Sequence, residues 1–137
     1  MVKKVFLCGI AGTGMSALAG LFREAGWRVY GSDSRFYPPV DRILAGLGVT
    51  LFRGYDAGNI PAGVDLCVIG NAISRGNPEA ERILDERLEY LSMAEALQRH
   101  FLRGKRSLVV AGSHGKTTTA SFLAHLLDVA GLRPGFF

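Results

Sequence analysis

VFLCGIAGTGMSA, residues 5–17, decides the fold predicted for this chain. An apolar, β-prone run (VFLC) leads into a glycine-rich turn, and apolar residues at helical spacing follow. Gly12, Gly14 and Ala17 fit the pattern G-x-G-x-x-A, in which glycines let the backbone approach a pyrophosphate and a helix N-terminus supplies free N–H groups. The stretch therefore predicts a strand, a phosphate-binding turn and a helix.

Apolar runs and helical patterns continue to alternate after this turn, which is typical of βαβ units and a parallel sheet. Ser92 with Glu95 forms a capping-box pattern that opens the last helix of the series. The predicted fold is α/β, a Rossmann-like doubly wound parallel sheet. Its further strands are predicted at residues 28–31, 50–52, 66–70 and 90–91, and its further helices at residues 38–47, 78–87 and 93–101.

Asp33 follows Gly14 by 19 residues and ends the second predicted strand. A carboxylate in this position can accept hydrogen bonds from ribose hydroxyls. NAD, FAD and UDP-sugars all present a diphosphate and a ribose, so these residues leave the ligand open. A structural glycine turn, with Asp33 as a turn or cap residue, is the alternative without a ligand.

AGSHGKTTTA, residues 111–120, contains a second phosphate-binding pattern. Gly115, Lys116 and Thr117 give G-K-[ST], in which the lysine reaches the β and γ phosphates of a nucleotide and the hydroxyl can ligate Mg²⁺. Val110 stands where the full pattern G-x-x-x-x-G-K-[ST] has its first glycine, and Gly112 is the nearest glycine available. A strand is predicted before this loop at residues 107–111, and a helix after it at residues 117–130.

The polar segment RGKRS, residues 103–107, is the best candidate for a linker between domains. It divides the chain into a first domain, residues 1–103, and the opening part of a second, residues 104–137. The second part would contain only the first strand, the phosphate loop and the first helix of a nucleotide-binding domain.

Composition and charge narrow the class of protein. The net charge of +4 is scattered, without the basic block that tracks a nucleic-acid backbone. No segment has the ~20 apolar residues of a membrane span, and the N-terminal apolar run is short for a signal peptide. Cys8 and Cys67 lie in apolar runs, as buried reduced cysteines do. We expect a cytoplasmic protein that binds neither nucleic acid nor membrane.

Several motifs together resemble the N-terminal region of the Mur ligases, the ATP-dependent amide-forming enzymes of peptidoglycan synthesis. They are GIAGTGM, GSD at residues 31–33, GYD at 54–56, GNAISRGNPE at 70–79 and AGSHGKTTTA. YPP at residues 37–39 and GNAIS are most similar to members that attach L-alanyl-γ-D-glutamyl-meso-diaminopimelate to UDP-N-acetylmuramate. Members that attach L-alanine to the same nucleotide sugar are the next most similar.

The resemblance implies a domain for the UDP-sugar, a central ATPase domain and a third domain for the peptide or amino-acid acceptor. It implies ATP and Mg²⁺ as cofactors, Lys116 as the catalytic residue and Thr117 as a metal ligand. UDP-N-acetylmuramate would be bound by Gly9, Gly12, Thr13, Gly14, Met15, Ser32, Asp33, Asn71 and Ala72. ATP would be bound by Gly112, Ser113, His114, Gly115, Lys116, Thr117 and Thr118.

On this interpretation the chain is an N-terminal fragment of a ligase, and we expect it to be inactive alone because the acceptor domain is absent. An NAD-binding oxidoreductase domain is one competing hypothesis, although a second phosphate loop argues against it. A non-catalytic nucleotide-binding or regulatory module is the other.

Overall fold

The structure is a computed structural model that describes residues 1–135 of the chain. The chain divides into two compact units, Met1–Arg103 and Gly104–Phe137. In residues 1–135, none of the helices combines the length and the apolar character that crossing a bilayer requires.

The first unit is a five-stranded sheet with the order β3-β2-β1-β4-β5, and every neighbouring pair is parallel. This confirms the predicted α/β fold with a doubly wound parallel sheet. The strands are β1 (Lys4–Cys8), β2 (Arg28–Asp33), β3 (Thr50–Arg53), β4 (Leu66–Ile69) and β5 (Tyr90–Ser92). The helices are α1 (Thr13–Glu24), α2 (Val40–Gly46), α3 (Pro78–Asp85) and α4 (Met93–Leu97), with a 3-10 turn at Ala57–Asn59 and a π-helical turn at Gln98–Leu102 after α4.

Successive side chains of β1 enter two separate hydrophobic cores, because side chains alternate between the faces of a strand. Val5 and Leu7 share a core with Phe22 of α1. Phe6 and Cys8 belong to the other core, with Ile83 of α3. Burial of both faces explains why β1 is a continuous apolar run.

The predicted capping box opens α4. The Ser92 hydroxyl accepts from the Glu95 backbone N–H at 3.3 Å, and the Glu95 carboxylate accepts from the Ser92 N–H at 2.9 Å. The Ser92 hydroxyl also donates to the Glu95 carboxylate, at 2.7 Å, and the bond from the Ser92 backbone N–H, followed by this one, lowers the pKa of Glu95.

Ser92→Ala should lower the free energy of unfolding by about 1 kcal/mol, because it removes the side-chain acceptor at the start of α4. Urea unfolding at pH 7 measures the change. A carboxylate with a lowered pKa stabilises the fold above its ordinary pKa of about 4.3, and this contribution is lost as the pH falls. The difference in the free energy of unfolding between the unsubstituted chain and Ser92→Ala should therefore become smaller below about pH 4. Ser74→Ala, at an exposed serine outside any helix or strand, is the control; equal losses from both substitutions would contradict the role of the cap.

The second unit contains α5 (Lys116–Val129), which confirms the helix predicted after the second loop. The strand predicted at residues 107–111 is wrong, because the described part of the chain has no strand after β5. Leu108 and Val109 are 58% and 86% exposed. A strand requires a neighbouring strand for its hydrogen bonds, and no strand occurs among the described residues of this unit. Apolar, β-prone composition alone therefore did not produce a strand here.

Candidate functional site

The first phosphate loop, defined as residues 9–14, joins β1 to α1 and is fixed to the end of β2. The backbone N–H groups of Gly9 and Ile10 both donate to the Ser32 carbonyl, at 2.9 and 3.0 Å. The N–H of Ala11 donates to Oδ2 of Asp33 at 2.9 Å. Three consecutive residues of the loop therefore have their backbones oriented by β2.

The N-terminus of α1 has no side-chain cap. Gly12 is the N-cap residue, it supplies no side chain, and the first turn contains no acidic residue. Gly12 and Thr13 are exposed and Gly14 is half-buried. The free N–H groups and the positive end of the helix dipole are therefore available to an anion, which is the arrangement that phosphate-binding helices use.

The segment after β4 lies beside this loop. The Gly70 N–H donates to the Cys8 carbonyl at 3.0 Å, and a methyl group at Gly70 would lie 3.7 Å from the Gly9 carbonyl oxygen. Asn71 and Ala72 follow and are exposed. In the sheet, β2 and β3 lie on one side of β1, and β4 and β5 lie on the other. The end of β1 is therefore a switch point, and ligands of doubly wound sheets bind at such points. The structure thus brings together the two predicted UDP-sugar segments.

Asp33 supports the loop in addition to any role with a ligand. Its Oδ2 accepts from Ala11, and its Oδ1 lies 3.4 Å from the Tyr55 hydroxyl. Burial, followed by the negative charge of Asp33, raises the pKa of Tyr55. A carboxylate has about four lone-pair sites, so Asp33 keeps acceptor capacity for a ribose.

Two residues predicted to contact the UDP-sugar have buried side chains. Met15 is 4% exposed and packs in the hydrophobic core below α1. Ser32 is fully buried, and its hydroxyl donates to the carboxylate of Glu79. Both residues therefore support the loop from the interior, and Ser32 acts on it through its backbone carbonyl.

Glu79 ends the motif GNAISRGNPE, and no role was predicted for it from the sequence. It is fully buried in the first turn of α3, where Asn77 accepts from the N–H groups of Glu79 and Ala80. The Cys8 thiol also donates to Glu79, at 3.0 Å. Burial, and then the hydrogen bond to Glu79, raises the pKa of the Cys8 thiol. The sequence signal was the N-cap pattern Asn-Pro-Glu, because carboxylates are favoured in the first turn of a helix.

The second phosphate loop, defined as residues 112–118, precedes and begins α5. Gly115 is the N-cap residue with a φ of 74°, a left-handed conformation that favours glycine over any residue with a Cβ. Lys116 directs Nζ to the carbonyls of Gly112 and Ser113, at 2.8 and 3.4 Å. The first turn has neither a side-chain cap nor an acidic residue. The loop and helix end therefore offer N–H groups and one cation to phosphates.

All residues predicted to bind ATP are exposed, from Gly112 to Thr118 and including His114. Thr117 is the predicted Mg²⁺ ligand, and a threonine hydroxyl fits this role beside nucleotide phosphates. Among the described residues, no group of three or more His, Cys, Asp or Glu side chains gathers as a metal site. Mg²⁺ would therefore depend on oxygens of the nucleotide and on protein ligands that are not part of such a cluster, of which the Thr117 hydroxyl is the predicted one.

Comparisons with known proteins agree with the geometry. The model of the family "Mur ligase family, catalytic domain" matches residues 4–105. The UDP-N-acetylmuramate–L-alanyl-gamma-D-glutamyl-meso-2,6-diaminoheptandioate ligase of Escherichia coli is 43% identical, over 97% of this chain and 29% of its own length. The chain therefore spans less than a third of that curated relative.

Solved structures show the same fold. The UDP-N-acetylmuramate:L-alanyl-gamma-D-glutamyl-meso-diaminopimelate ligase from Neisseria meningitides matches with a TM-score of 0.93 and 43% identity, over 98% of this chain and 42% of that one. The UDP-N-acetylmuramate-alanine ligase from Thermotoga maritima matches with a TM-score of 0.84 and 32% identity, over 93% of this chain and 30% of that one. A family match over most of the sequence, on a fold that these relatives share, leads to one assignment: the chain belongs to the Mur ligase family.

Proposed function

We propose that this chain is the nucleotide-sugar-binding part of an ATP-dependent ligase that acts on UDP-N-acetylmuramate, together with the start of the ATP-binding domain. The observation that carries the proposal is the uncapped N-terminus of α1 at the switch point of the sheet, beside the segment that follows β4. A diphosphate supplies the negative charge and the acceptors that this helix end lacks.

In this proposal the first unit holds the substrate and performs no bond chemistry. The N–H groups at the start of α1 bind the diphosphate, Asp33 accepts from the ribose, and Asn71 contacts the sugar nucleotide from the β4 side. The loop backbone that leads into α1 is oriented before the ligand arrives, because Ser32 and Asp33 already hold residues 9–11. Preorganisation of this kind lowers the ordering cost of binding.

The second unit would hold the phosphates of ATP. The N–H groups at the start of α5 and the ammonium of Lys116 supply positive charge, and the Thr117 hydroxyl would be one ligand of Mg²⁺. When bound, ATP would supply the phosphoryl group that activates the muramate carboxylate towards an amine. Lys116 would leave the carbonyls of Gly112 and Ser113 and stabilise the charge that develops on the phosphates.

We propose the tripeptide as the acceptor, and L-alanine as the alternative. Support comes from the 43% identity to the Escherichia coli relative and to the Neisseria structure named for the tripeptide, against 36% and 41% for the UDP-N-acetylmuramate–L-alanine ligases of Syntrophomonas wolfei and Desulfosudis oleivorans. We also propose a cytoplasmic location, since both cysteines, Cys8 and Cys67, are buried free thiols and reducing compartments keep thiols free.

Calorimetric titration of the 137-residue chain tests the ligand class. UDP and UDP-N-acetylmuramate should bind, and NAD and NADP should bind at least about tenfold more weakly, a difference of about 1.4 kcal/mol. UMP is the matched control, because it keeps the uridine and lacks the second phosphate that α1 would hold. Tight binding of NAD without a response to UDP would replace the ligase proposal with the oxidoreductase hypothesis.

A further inference from the structure

Glu79 is a buried carboxylate with four hydrogen-bond donors around it. Oε2 accepts from the Ser32 hydroxyl and from the Cys8 thiol. Oε1 accepts from the side-chain amide of Asn59 at 2.7 Å and from the Asp56 N–H at 3.2 Å. The side chain has no exposed surface, so these four groups account for its surroundings on both oxygens.

The four donors come from three neighbouring strands or the segments that follow them. Cys8 is the last residue of β1, Ser32 lies near the end of β2, and Asp56 and Asn59 follow β3. Glu79 itself lies in the first turn of α3, which follows β4 in the chain. One carboxylate therefore connects the carboxyl ends of the strands around the switch point, where the first phosphate loop begins.

The connection reaches the loop through Ser32. Its hydroxyl is held by Glu79, and its carbonyl accepts the N–H groups of Gly9 and Ile10. A buried carboxylate cannot touch a ligand in the crevice, so any effect of Glu79 on binding must pass through the residues that it contacts beside the loop, Ser32 and Cys8. Burial of a charge is costly unless donors compensate it, and two of the compensating donors here, on Ser32 and Cys8, come from residues that contact or directly precede the phosphate loop.

We propose that Glu79 is a positioning residue for the first phosphate loop: by fixing Ser32 from below, it sets the backbone orientation that presents the loop N–H groups to the diphosphate. The proposal rests on the function proposed above for this loop. The proposal adds a buried residue that does not contact the ligand but determines the conformation of the loop that does.

Glu79→Gln is the test substitution, because it keeps the shape and removes the charge. The glutamine carbonyl oxygen can still accept from the Asp56 backbone N–H, which can only donate, and from the Asn59 side-chain NH₂, which the Gly54 carbonyl also holds. Its NH₂ group then faces Ser32 and Cys8. The Ser32 hydroxyl must turn to accept from this NH₂ group, so a charge-assisted hydrogen bond becomes a neutral one of opposite direction, and the Cys8 thiol loses its acceptor. The variant therefore changes the side of the network that leads to the loop.

Arg82→Gln is the matched control on the same helix. Arg82 donates to the carbonyls of Ala57 and Ile60 at 2.6 and 3.3 Å, so it also ties α3 to the segment after β3, but it has no bond to Ser32 or Cys8. Both substitutions should lower overall stability. Only Glu79→Gln should act on the loop.

Two measurements separate positioning from stability. Amide hydrogen exchange without ligand should show Gly9 and Ile10 exchanging about tenfold faster or more in Glu79→Gln relative to the amides of β1, because local opening affects only these residues whereas global unfolding affects all of them. Titration with UDP, well below the melting temperature, should show binding weakened about tenfold or more, since the charge-assisted hydrogen bond that fixes Ser32 is replaced by a weaker neutral one. Arg82→Gln should change neither the exchange rate of the loop amides relative to those of β1 nor the affinity for UDP.

Loop amides that exchange in step with β1 in Glu79→Gln would overturn the proposal, and so would faster loop exchange with unchanged UDP affinity. If the unsubstituted chain does not bind UDP, the proposed function fails, and the exchange measurement alone decides whether Glu79 holds the loop. If Glu79→Gln does not fold, Ser32→Ala takes its place, because it cuts the same link at the next residue and leaves Glu79 with its other donors.

Discussion

Gly31→Ala should destabilise the first unit by about 3 kcal/mol or more, which is large against the roughly 5–15 kcal/mol that stabilises a typical domain. A Cβ at this position would lie 2.5 Å from Cδ1 and 2.8 Å from Cβ of Ile10, and 2.9 Å from the Leu7 carbonyl oxygen. Ile10 is fully buried and Leu7 belongs to the central strand, so neither can move without disturbing the core. Urea unfolding measures the loss.

Gly46→Ala is the control for this prediction. Gly46 is exposed at the end of α2, and an added Cβ there would have no atom within 4 Å. Alanine is the better helix former by about 1 kcal/mol, so this substitution should be neutral or slightly stabilising. If both variants unfold at the same urea concentration as the unsubstituted chain, the close approach at Gly31 does not constrain the fold.

Gly31 also explains why the first phosphate loop has its shape. Ile10 packs directly over the glycine, and the adjacent Ser32 carbonyl receives the N–H groups of Gly9 and Ile10. The loop therefore packs against the end of β2 so closely that no space remains for a side chain at residue 31. The motif GSD of the sequence thus has a packing reason for its glycine in addition to the role considered for Asp33.

Local sequence patterns predicted most of the secondary structure. The apolar runs of β1 and β4, the glycine turn before α1 and the capping box at Ser92 are short-range features, and the structure contains each of them. The sequence predicted a doubly wound parallel sheet but not the order of its strands, because hydrophobic periodicity does not show which strands pair. The prediction failed at residues 107–111, where an apolar run was not sufficient without a neighbouring strand.

Side-chain direction within the candidate site was less predictable. Met15 and Ser32 lie in motifs that indicate nucleotide binding, but packing turns both side chains into the interior. Glu79 is 47 residues from Ser32 in sequence, and only the fold brings them together. Burial and long-range hydrogen bonds are tertiary properties, so the sequence predicts where the loops lie better than which atoms support them.

Gly14→Val should abolish stabilisation by UDP-N-acetylmuramate. A ligand present at about 100 times its dissociation constant adds roughly 2.7 kcal/mol to a folded state that alone binds it, which raises the melting temperature on the order of 10 °C in a domain of this size. Gly14 lies in the first turn of α1, where a branched side chain would occupy the space in which the pyrophosphate meets the backbone. Its φ is not positive, so valine can adopt the backbone conformation and the variant should still fold.

Lys116→Ala is the comparison that assigns each loop to its ligand. Lys116 belongs to the second unit, and its ammonium bonds to carbonyls of its own loop, so its loss should leave the thermal shift with UDP-N-acetylmuramate nearly intact. Thermal unfolding of the three proteins, with and without the nucleotide sugar, measures both effects under one set of conditions. Loss of the shift in Lys116→Ala with retention in Gly14→Val would mean that the nucleotide sugar binds at the second loop. Such a result would reverse the assignment of the two loops, because the two substituted residues lie in different units.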